Sequence, residues 1–332
     1  MVVLFLNRKQ ESEKDMSNIT NNDSRSSSHV VLEPTDIWYW TIRVIIAVLT
    51  ISGNGLVIYF IVFKRRLRVT NNWFVLSLAI ADFCIGLFAT PSGLACTFQF
   101  RCDWRVQITF YNFLLLASTL NLWAMAVDRY IAIVHSLRYT SLMTTARVIS
   151  LIAMSWGMSF LAAFVRLLWL YDSQLSKAIE KYYRVVTDSL LGILSCVILL
   201  VIYLRILHIV QKLARQTASQ EKDVNYNHGP PNFPKCPRRT RRNSSAKVLG
   251  CMILLFTLCF SLNTYISFCL NFKLCSVTPL IQSISLLLVY CNSAVNFVVY
   301  AFMKSDIRLE LRRVCRYGSS NDVTQSIEVS LT

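Results

Sequence analysis

The sequence predicts an all-α membrane protein, a bundle of seven membrane-spanning helices followed by a short amphipathic eighth helix. Of its 332 residues, 54% are hydrophobic and only 16% are charged, whereas soluble domains average about 25% charged residues. A soluble core of this size cannot hide so much apolar surface from water. The apolar residues also fall into long blocks with few charges, which is typical of helices that cross a hydrocarbon layer of about 30 Å.

Seven apolar blocks divide the chain. They cover residues 38–63, 71–96, 105–137, 147–170, 181–212, 245–270 and 276–302. The third and fifth blocks exceed the ~20 residues that a span requires, so we expect them to tilt or to project beyond the lipid. A tail (1–37) precedes this seven-helix domain (38–302), and a segment containing the eighth helix (303–332) follows it. Within the domain, the Pro-rich run at 227–234 predicts that residues 213–244 form a flexible cytoplasmic loop, because proline ends a helix.

The net charge of +16 is concentrated between the blocks. Basic clusters follow the first block, precede the sixth and follow the seventh, at positions such as Arg65, Arg241 and Arg312. These clusters share one side if the helices alternate in direction, and the positive-inside rule makes that side cytoplasmic. We therefore expect an extracellular N-terminus at the plasma membrane. Charge that sets topology beside anionic membrane lipids explains the basic balance better than nucleic-acid binding does.

The N-terminal tail supports the same orientation. Residues 7–30 are polar and rich in Ser and Asn, a composition typical of disorder. They contain two Asn-x-Ser/Thr sequons, at Asn18 and Asn22, and such sequons accept glycans on extracellular segments. We predict that both are glycosylated.

Two pairs of cysteines flank predicted extracellular turns. Cys269 and Cys275 bracket the short connection between the sixth and seventh blocks, and Cys96 and Cys102 bracket the end of the second. The exterior supplies the oxidising conditions that disulfides require, so either pair could form one, although spacing does not prove pairing. Cys315 lies in a basic segment after the seventh block, where palmitoylation would fix the eighth helix to the membrane surface.

Polar residues inside the apolar blocks are costly in lipid and face the interior of a bundle. Those of this chain follow a fixed order, block by block: Gly53-Asn54; Asp82 and Pro91; Ser118, Asn121 and Asp128-Arg129-Tyr130; Trp156; Tyr203; Phe256 and Cys259; Asn292-Ser293, Asn296 and Tyr300. Any one of these motifs occurs by chance. The ordered set resembles the rhodopsin-like (class A) G-protein-coupled receptors over essentially the whole helical region.

The resemblance implies a receptor that couples to heterotrimeric G proteins. Its coupling residues would be Asp128, Arg129 and Tyr130, at the end of the third helix, together with Tyr203 and Tyr300. Asp128 can hold the Arg129 guanidinium in a charge-assisted pair. In these receptors the arginine is released on activation and packs into the G-protein site beside the two tyrosines. The alternative is that Arg129 only extends its charge from a helix end towards water.

Asp82 is a lone carboxylate in the middle of a span. The resemblance places around it the residues of a structural sodium site: Ser118, Asn292, Ser293 and Asn296. Oxygen ligands beside one carboxylate suit a hard cation. The alternative is a water-filled polar network in which Asp82 is protonated. We expect no other cofactor.

The resemblance implies a small extracellular ligand, but the family's standard anchors for it are absent. Tyr111 stands where amine receptors carry an ammonium-binding Asp, and Tyr290 where opsins carry the retinal Lys. The residues that the resemblance places around the cavity are Tyr111, Asn112, Thr187, Asp188, Asn263, Ser267, Gln282, Leu286 and Tyr290. Asp188, the one acid among them, either binds a cationic ligand or pairs with Arg184 one turn earlier.

Other family features are replaced. Ser195, Leu262 and Phe297 stand where helices five, six and seven usually have proline, and Phe260 replaces a tryptophan of helix six. Proline loosens a helix, so we expect straighter helices unless another device replaces it. The proline-free helix five, a short second exterior loop without Cys, and the Cys269 and Cys275 pair resemble the melanocortin, adenosine and cannabinoid branch.

Two alternative functions stay open at this point. The missing prolines and tryptophan favour, as the main alternative, a seven-helix protein with reduced or no ligand-driven signalling. A transporter is a remote alternative, because internal repeats and Gly/Pro-broken midplane helices are not visible in the sequence. We do not expect an enzyme, since the sequence offers neither a nucleophile–base pair nor a metal-ligand cluster.

Overall fold

The computed structural model of the protein describes residues 34–70, 72–97, 102–135, 137–228, 237–303 and 306–313. The predicted glycosylation sites, Asn18 and Asn22, and the predicted palmitoylation site, Cys315, lie outside these ranges and stay predictions.

Seven long helices form most of the described chain. In chain order they are α1 (Pro34–Phe63), α2 (Asn72–Thr97), α3 (Trp104–Val134), α4 (Thr145–Leu170), α5 (Ser173–His228), α6 (Pro237–Phe272) and α7 (Pro279–Met303). Each contains a stretch that is long and apolar enough to cross a membrane. The prediction of an all-α bundle with seven membrane-spanning helices is confirmed. A short helix at 306–313 lies within the segment predicted to form the eighth helix, with Ile307 buried and Arg312 exposed.

The helices pack around α3. This helix contacts α2, α4, α5 and α6, while α1 and α6 both pack against α7. Large apolar side chains such as Phe74, Leu78 and Phe256 are buried between them. Other large apolar side chains, including Leu161 and Leu204, are exposed on the outside. An apolar outer surface is stable in a bilayer, because lipid chains and not water cover it.

Two helices contain a π-helical turn. In α2 it covers Ile85–Ala89 and precedes Pro91, which has no N–H to continue the ladder. In α5 it covers Leu190–Leu194 and precedes Ser195, which stands at the family's proline position. The Ser195 hydroxyl donates a hydrogen bond of 2.6 Å to the Leu190 carbonyl. Helix five therefore keeps a local irregularity without proline, in contrast to the straight helix that its absence predicts.

Phe297, at the proline position of α7, packs tightly against α1. A Cβ atom added to Gly53 would lie 2.2 Å from Cγ and Cδ1 of the Phe297 ring. The ring therefore occupies the space that a side chain at Gly53 would need. Because Gly53 has no side chain, α1 leaves space for the Phe297 ring, which is larger than the proline usual at that position.

The segment 213–244 differs from its prediction. Instead of a flexible loop throughout, α5 continues to His228 and α6 begins at Pro237. Residues 213–228 contain neither Gly nor Pro, so nothing in this stretch ends the helix before Gly229.

The two disulfides lie at one end of the bundle, which we call the disulfide end. Cys96–Cys102 joins the end of α2 to the residues before α3, and Cys269–Cys275 closes the connection from α6 to α7. The opposite end contains Asp128 and Arg129, and we call it the Arg129 end.

Candidate functional site

A cavity of about 120 Å³ opens at the disulfide end between α3, α4, α5, α6 and α7. Eight of the nine residues predicted to surround a ligand line it: Tyr111, Asn112, Thr187, Asp188, Asn263, Ser267, Gln282 and Leu286. Its other polar lining residues include Arg166, Tyr183, Arg184, Thr264 and Asn271. The cavity is thus a polar site with both signs of charge on its wall.

Asp188 is the acid of this cavity. Its carboxylate accepts a hydrogen bond from the Ser267 hydroxyl, and the Asn271 amide donates to that hydroxyl at 3.3 Å. Asp188 does not form an ion pair with Arg184 or with any other described residue. The Arg184 Nε is itself buried and lacks a hydrogen-bond partner among the described groups. Of the two predicted roles for Asp188, pairing with Arg184 is therefore not observed.

Arg166, by contrast, is already neutralised. Its side chain is 1% exposed and forms a two-point ion pair with Glu180, in which Nε donates to Oε2 at 3.2 Å and Nη2 donates to Oε1. The Trp169 indole N–H also donates to Glu180, at 3.3 Å. This arrangement fixes the cavity wall where α4 meets α5.

Tyr290 differs from its predicted place on the cavity wall. It is buried behind Tyr111, with ring centroids 5.2 Å apart, and its hydroxyl accepts a hydrogen bond of 2.5 Å from Arg43 Nη2. Tyr111 itself lines the cavity, and its hydroxyl is buried beside that of Tyr290 without a hydrogen bond of good geometry to any described residue. Tyr290 therefore supports the wall and does not form it.

A second polar cluster lies at the centre of the bundle around Asp82. The two oxygens of this fully buried carboxylate accept hydrogen bonds from Ser118 Oγ at 2.9 Å and from Asn296 Nδ2 at 2.7 Å. Ser293 lies beside the carboxylate, yet its Oγ is buried without a partner that meets hydrogen-bond geometry. Asn292 is buried but takes no part in the hydrogen bonds to Asp82.

At the Arg129 end, Asp128 and Arg129 form an ion pair. Arg129 Nη2 lies 2.6 Å from Oδ2 of the fully buried Asp128, and the Tyr139 hydroxyl donates to its Oδ1 at 2.7 Å. Burial, followed by the nearby charge of Asp128, raises the pKa of Tyr139. The Tyr139 phenol therefore stays protonated and holds Asp128 in position as a hydrogen-bond donor.

The other predicted coupling residues lie around this pair. Tyr300 is buried, with its hydroxyl 3.9 Å from the sulfur of Met125. The Tyr203 hydroxyl lies against Gly250, where an added Cβ would be 2.2 Å away. Tyr130 is half-buried. The two tyrosines of α5 and α7 are thus packed in the bundle and make no hydrogen bond to Arg129.

Noncovalent contacts join the start of α3 to the connection between α4 and α5, which has no Cys. The Tyr171 hydroxyl donates to Asp103 Oδ2 at 2.7 Å, and Arg105 Nη1 donates to the Leu170 carbonyl at 3.3 Å. The hydrogen bond from Tyr171 holds the pKa of Asp103 below its usual range. A lowered pKa stabilises the contact above pH ~4, and this stabilisation is lost only as the pH falls through the lower folded value. The contact is therefore intact at physiological pH.

Two arginines with roles at the disulfide end were not predicted from the sequence. Arg166 lines the cavity, and Arg43 is 3% exposed inside the bundle. A charge within an apolar block is a signal visible in the sequence. Arg43 and Arg166 both show this signal. Their partners cannot be predicted from it, because they depend on packing between helices that are distant in sequence.

The fold and these polar clusters define a seven-helix membrane receptor. Residues 53–300 match the 7 transmembrane receptor (rhodopsin family), and the chain belongs to this family. The prediction of a rhodopsin-like G-protein-coupled receptor is therefore confirmed.

Receptors of two kinds are similar to the chain. It is 26% identical over 320 residues to the adenosine receptor A2b of Gallus gallus (83% of this chain, 87% of that protein). It is 27% identical over 311 residues to the histamine H2 receptor of Cavia porcellus (87% and 83%). The identity to the adenosine receptor A2a of Homo sapiens is 29% over 309 residues (84% and 72%). The adenosine receptors belong to the predicted branch, whereas the histamine receptors do not.

Proposed function

We propose that this receptor acts at the plasma membrane, binds a small extracellular ligand that carries a protonated amine, and activates heterotrimeric G proteins. The observation that supports the ligand class is Asp188, a carboxylate on the cavity wall that forms no ion pair with a described residue and feels the Arg184 charge only from beyond ion-pair distance. A charge in such a site is stabilised by an opposite charge, and an ammonium group supplies it. The histamine H2 receptors, which are similar to this chain, are named for an amine.

Arg184 adds a second requirement on the ligand. It lines the same cavity, and its Nε–H has no acceptor among the described groups. An oxygen atom on the ligand would accept a hydrogen bond from this N–H group. The ligand we propose is therefore an amine with at least one acceptor group.

The chemistry of the two ends supports the orientation in this proposal. Disulfides form under oxidising conditions, which the cell exterior supplies, so we place the disulfide end and its cavity outside. The connections at the other end contain basic residues such as Arg65 and Arg138, as expected of a cytoplasmic surface.

The G-protein site in this proposal is the Arg129 end. Activation would separate Arg129 from Asp128, while Tyr139 keeps Asp128 in place through its hydrogen bond. The freed guanidinium, with Tyr130, Tyr203 and Tyr300, would then contact the G protein. This mechanism requires Tyr203 and Tyr300 to leave their packed positions.

A ligand screen tests the function. Cells expressing the receptor are given primary, secondary and tertiary amines and their neutral isosteres, and several second messengers are measured. We expect responses to amines alone, and none in the Arg129→Ala variant at matched surface expression. A response to neutral but not cationic compounds would contradict the amine class. Silence towards every compound would favour the alternative of a bundle without ligand-driven signalling.

We also propose that Asp82 holds a sodium ion. Two buried oxygens in this region, Ser293 Oγ and Asn54 Oδ1, lack hydrogen-bond partners among the described residues, and the Asn54 amide group bonds the Ser293 carbonyl at 3.1 Å. With Asp82 and Ser118 they supply the oxygen-rich set that a hard cation requires. The ion would neutralise the Asp82 charge. Asn296 would act as a neighbouring donor to the carboxylate, and Asn292 would lie outside the ligand set.

Exchange of sodium for choline, at constant chloride, tests this site. For the purified receptor we expect the melting temperature to be higher in sodium by about 3 °C or more, because an ion that binds only the folded state stabilises it. The Asp82→Asn variant should lose this dependence. Sodium dependence that survives the substitution would show that it does not arise from an ion at Asp82.

A further inference from the structure

Arg43 of α1 is an arginine buried inside the bundle without a carboxylate. Its side chain is 3% exposed, and none of the ion pairs among the described residues includes it. The ionisable groups nearest to it are three tyrosines, Tyr39, Tyr111 and Tyr290. None of these groups is a carboxylate, so no acidic side chain among the described residues offsets the guanidinium charge.

The contacts of Arg43 are dipolar and aromatic. Nη2 donates to the Ala89 carbonyl at 2.7 Å and to the Tyr290 hydroxyl at 2.5 Å, and Nη1 donates to the Tyr39 hydroxyl at 3.1 Å. The guanidinium carbon also lies 4.3 Å from the Tyr290 ring centroid and 4.8 Å from that of Trp40. These contacts fix the side chain, but they are weaker than the loss of hydration that burial imposes on an ion.

Arg166 is another deeply buried arginine, and its charge is paired with a carboxylate. Arg166 is 1% exposed and is matched by the Glu180 carboxylate, which accepts hydrogen bonds from Nε and Nη2. Arg43 has no such partner among the described residues, and its Nε–H is buried without an acceptor among them. The difference between the two sites is one negative charge.

A second buried donor lies close to Arg43. The Tyr111 hydroxyl is buried beside that of Tyr290, but no described residue accepts a hydrogen bond of good geometry from it. Arg43 and Tyr111 both contact Tyr290, the first by its hydrogen bond of 2.5 Å and the second by ring packing at 5.2 Å. Tyr111 also lines the cavity, so this region adjoins the space open to a ligand.

The α2 backbone leaves room for the guanidinium at this place. A Cβ atom added to Gly93 would lie 2.9 Å from Arg43 Nη2. A side chain at this position would therefore displace the charged group. The close approach places the guanidinium between α1, α2 and α7.

We propose that Arg43 and Tyr111 form a binding site for one small monovalent anion, either a chloride ion or the carboxylate of a bound small molecule. The anion would accept hydrogen bonds from Arg43 Nε and the Tyr111 hydroxyl and would neutralise the buried charge. The proposal is independent of the amine class, because it does not involve Asp188. If both hold, the receptor has separate places for a cation and an anion.

Thermal unfolding of the purified receptor in different sodium salts tests the anion site. Sodium concentration and ionic strength are held constant while chloride, formate or gluconate is the anion; gluconate, which is much larger than the other two, is the reference anion. We expect the melting temperature in chloride or formate to exceed that in gluconate by about 3 °C or more, since the small anion binds only the folded state. Stabilisation by chloride alone assigns a halide site, and stabilisation by formate alone assigns a site for a ligand carboxylate.

Three variants link the effect to the residues. Arg43→Met should abolish the difference between salts, and Tyr111→Phe, which removes one hydroxyl, should reduce it while keeping the fold. Arg105→Met is the matched control, because Arg105 is half-buried at the same end and should leave the difference unchanged. Equal melting temperatures in all salts for the wild type would overturn the proposal, as would an unchanged difference in Tyr111→Phe together with Arg43→Met.

Discussion

The Asp188→Asn substitution is expected to lower the potency of amine agonists by about 100-fold or more. Asn keeps the size of the side chain and a hydrogen-bonding oxygen for Ser267, but removes the negative charge that an ammonium group requires. Loss of one partner from a buried charge pair costs about 2–5 kcal/mol, and each 1.4 kcal/mol is tenfold in affinity. Concentration–response curves for the most potent amine of the screen measure the change.

Ser267→Ala is the control for this substitution. It removes the hydroxyl that donates to Asp188 but keeps the carboxylate, so we expect a potency loss of only about tenfold. Both variants are compared at matched surface expression. If Asp188→Asn leaves the potency of amines unchanged, the ammonium group binds elsewhere and the assignment of Asp188 is wrong.

The second large effect concerns stability, at the contact of α1 with α7. Gly53→Ala places a methyl group 2.2 Å from the Phe297 ring, so either the ring or a helix must move. Overpacking of this kind costs about 1–3 kcal/mol and should lower the melting temperature of the purified receptor by roughly 5 °C. Surface expression should fall as well.

Gly55→Ala is the matched control, two residues away on the same helix. Its added Cβ would meet Phe83 at 3.4 Å, which is an ordinary contact, so we expect little change. Phe297→Ala should rescue Gly53→Ala by removing the ring. Equal stability of the Gly53 and Gly55 variants, or no rescue, would show that the contact with Phe297 does not limit this position.

The spans and their polar order could be predicted from the sequence because both depend on local composition. A run of apolar residues fixes a helix across lipid whatever its neighbours are. The resemblance to the receptor family placed Ser118 beside Asp82, and the structure joins them at 2.9 Å. The cysteine pairs were close in sequence, which left few partners for each.

Predictions that depend on tertiary packing were less complete. Arg184 and Asp188 have the spacing of a helical pair, but they do not pair, because Ser267 of α6 approaches the carboxylate instead. Tyr290 was predicted to line the cavity wall. Instead it packs against Tyr111, and its hydroxyl accepts a hydrogen bond from Arg43. The extent of α5 beyond the span depended on the position of the first helix-breaking residue, Gly229, and not on polarity.

The π-helical turn at Leu190–Leu194 also affects how this receptor can change during evolution. Such a turn accommodates one residue more than a regular α-helical turn does, and one residue corresponds to a rotation of about 100° around the helix axis. Deletion of a single residue from this turn would rotate the whole preceding part of α5 and exchange the side chains that it presents to the cavity. Ligand preference in such a lineage can therefore shift abruptly through a one-codon deletion, without a substitution at Thr187 or Asp188.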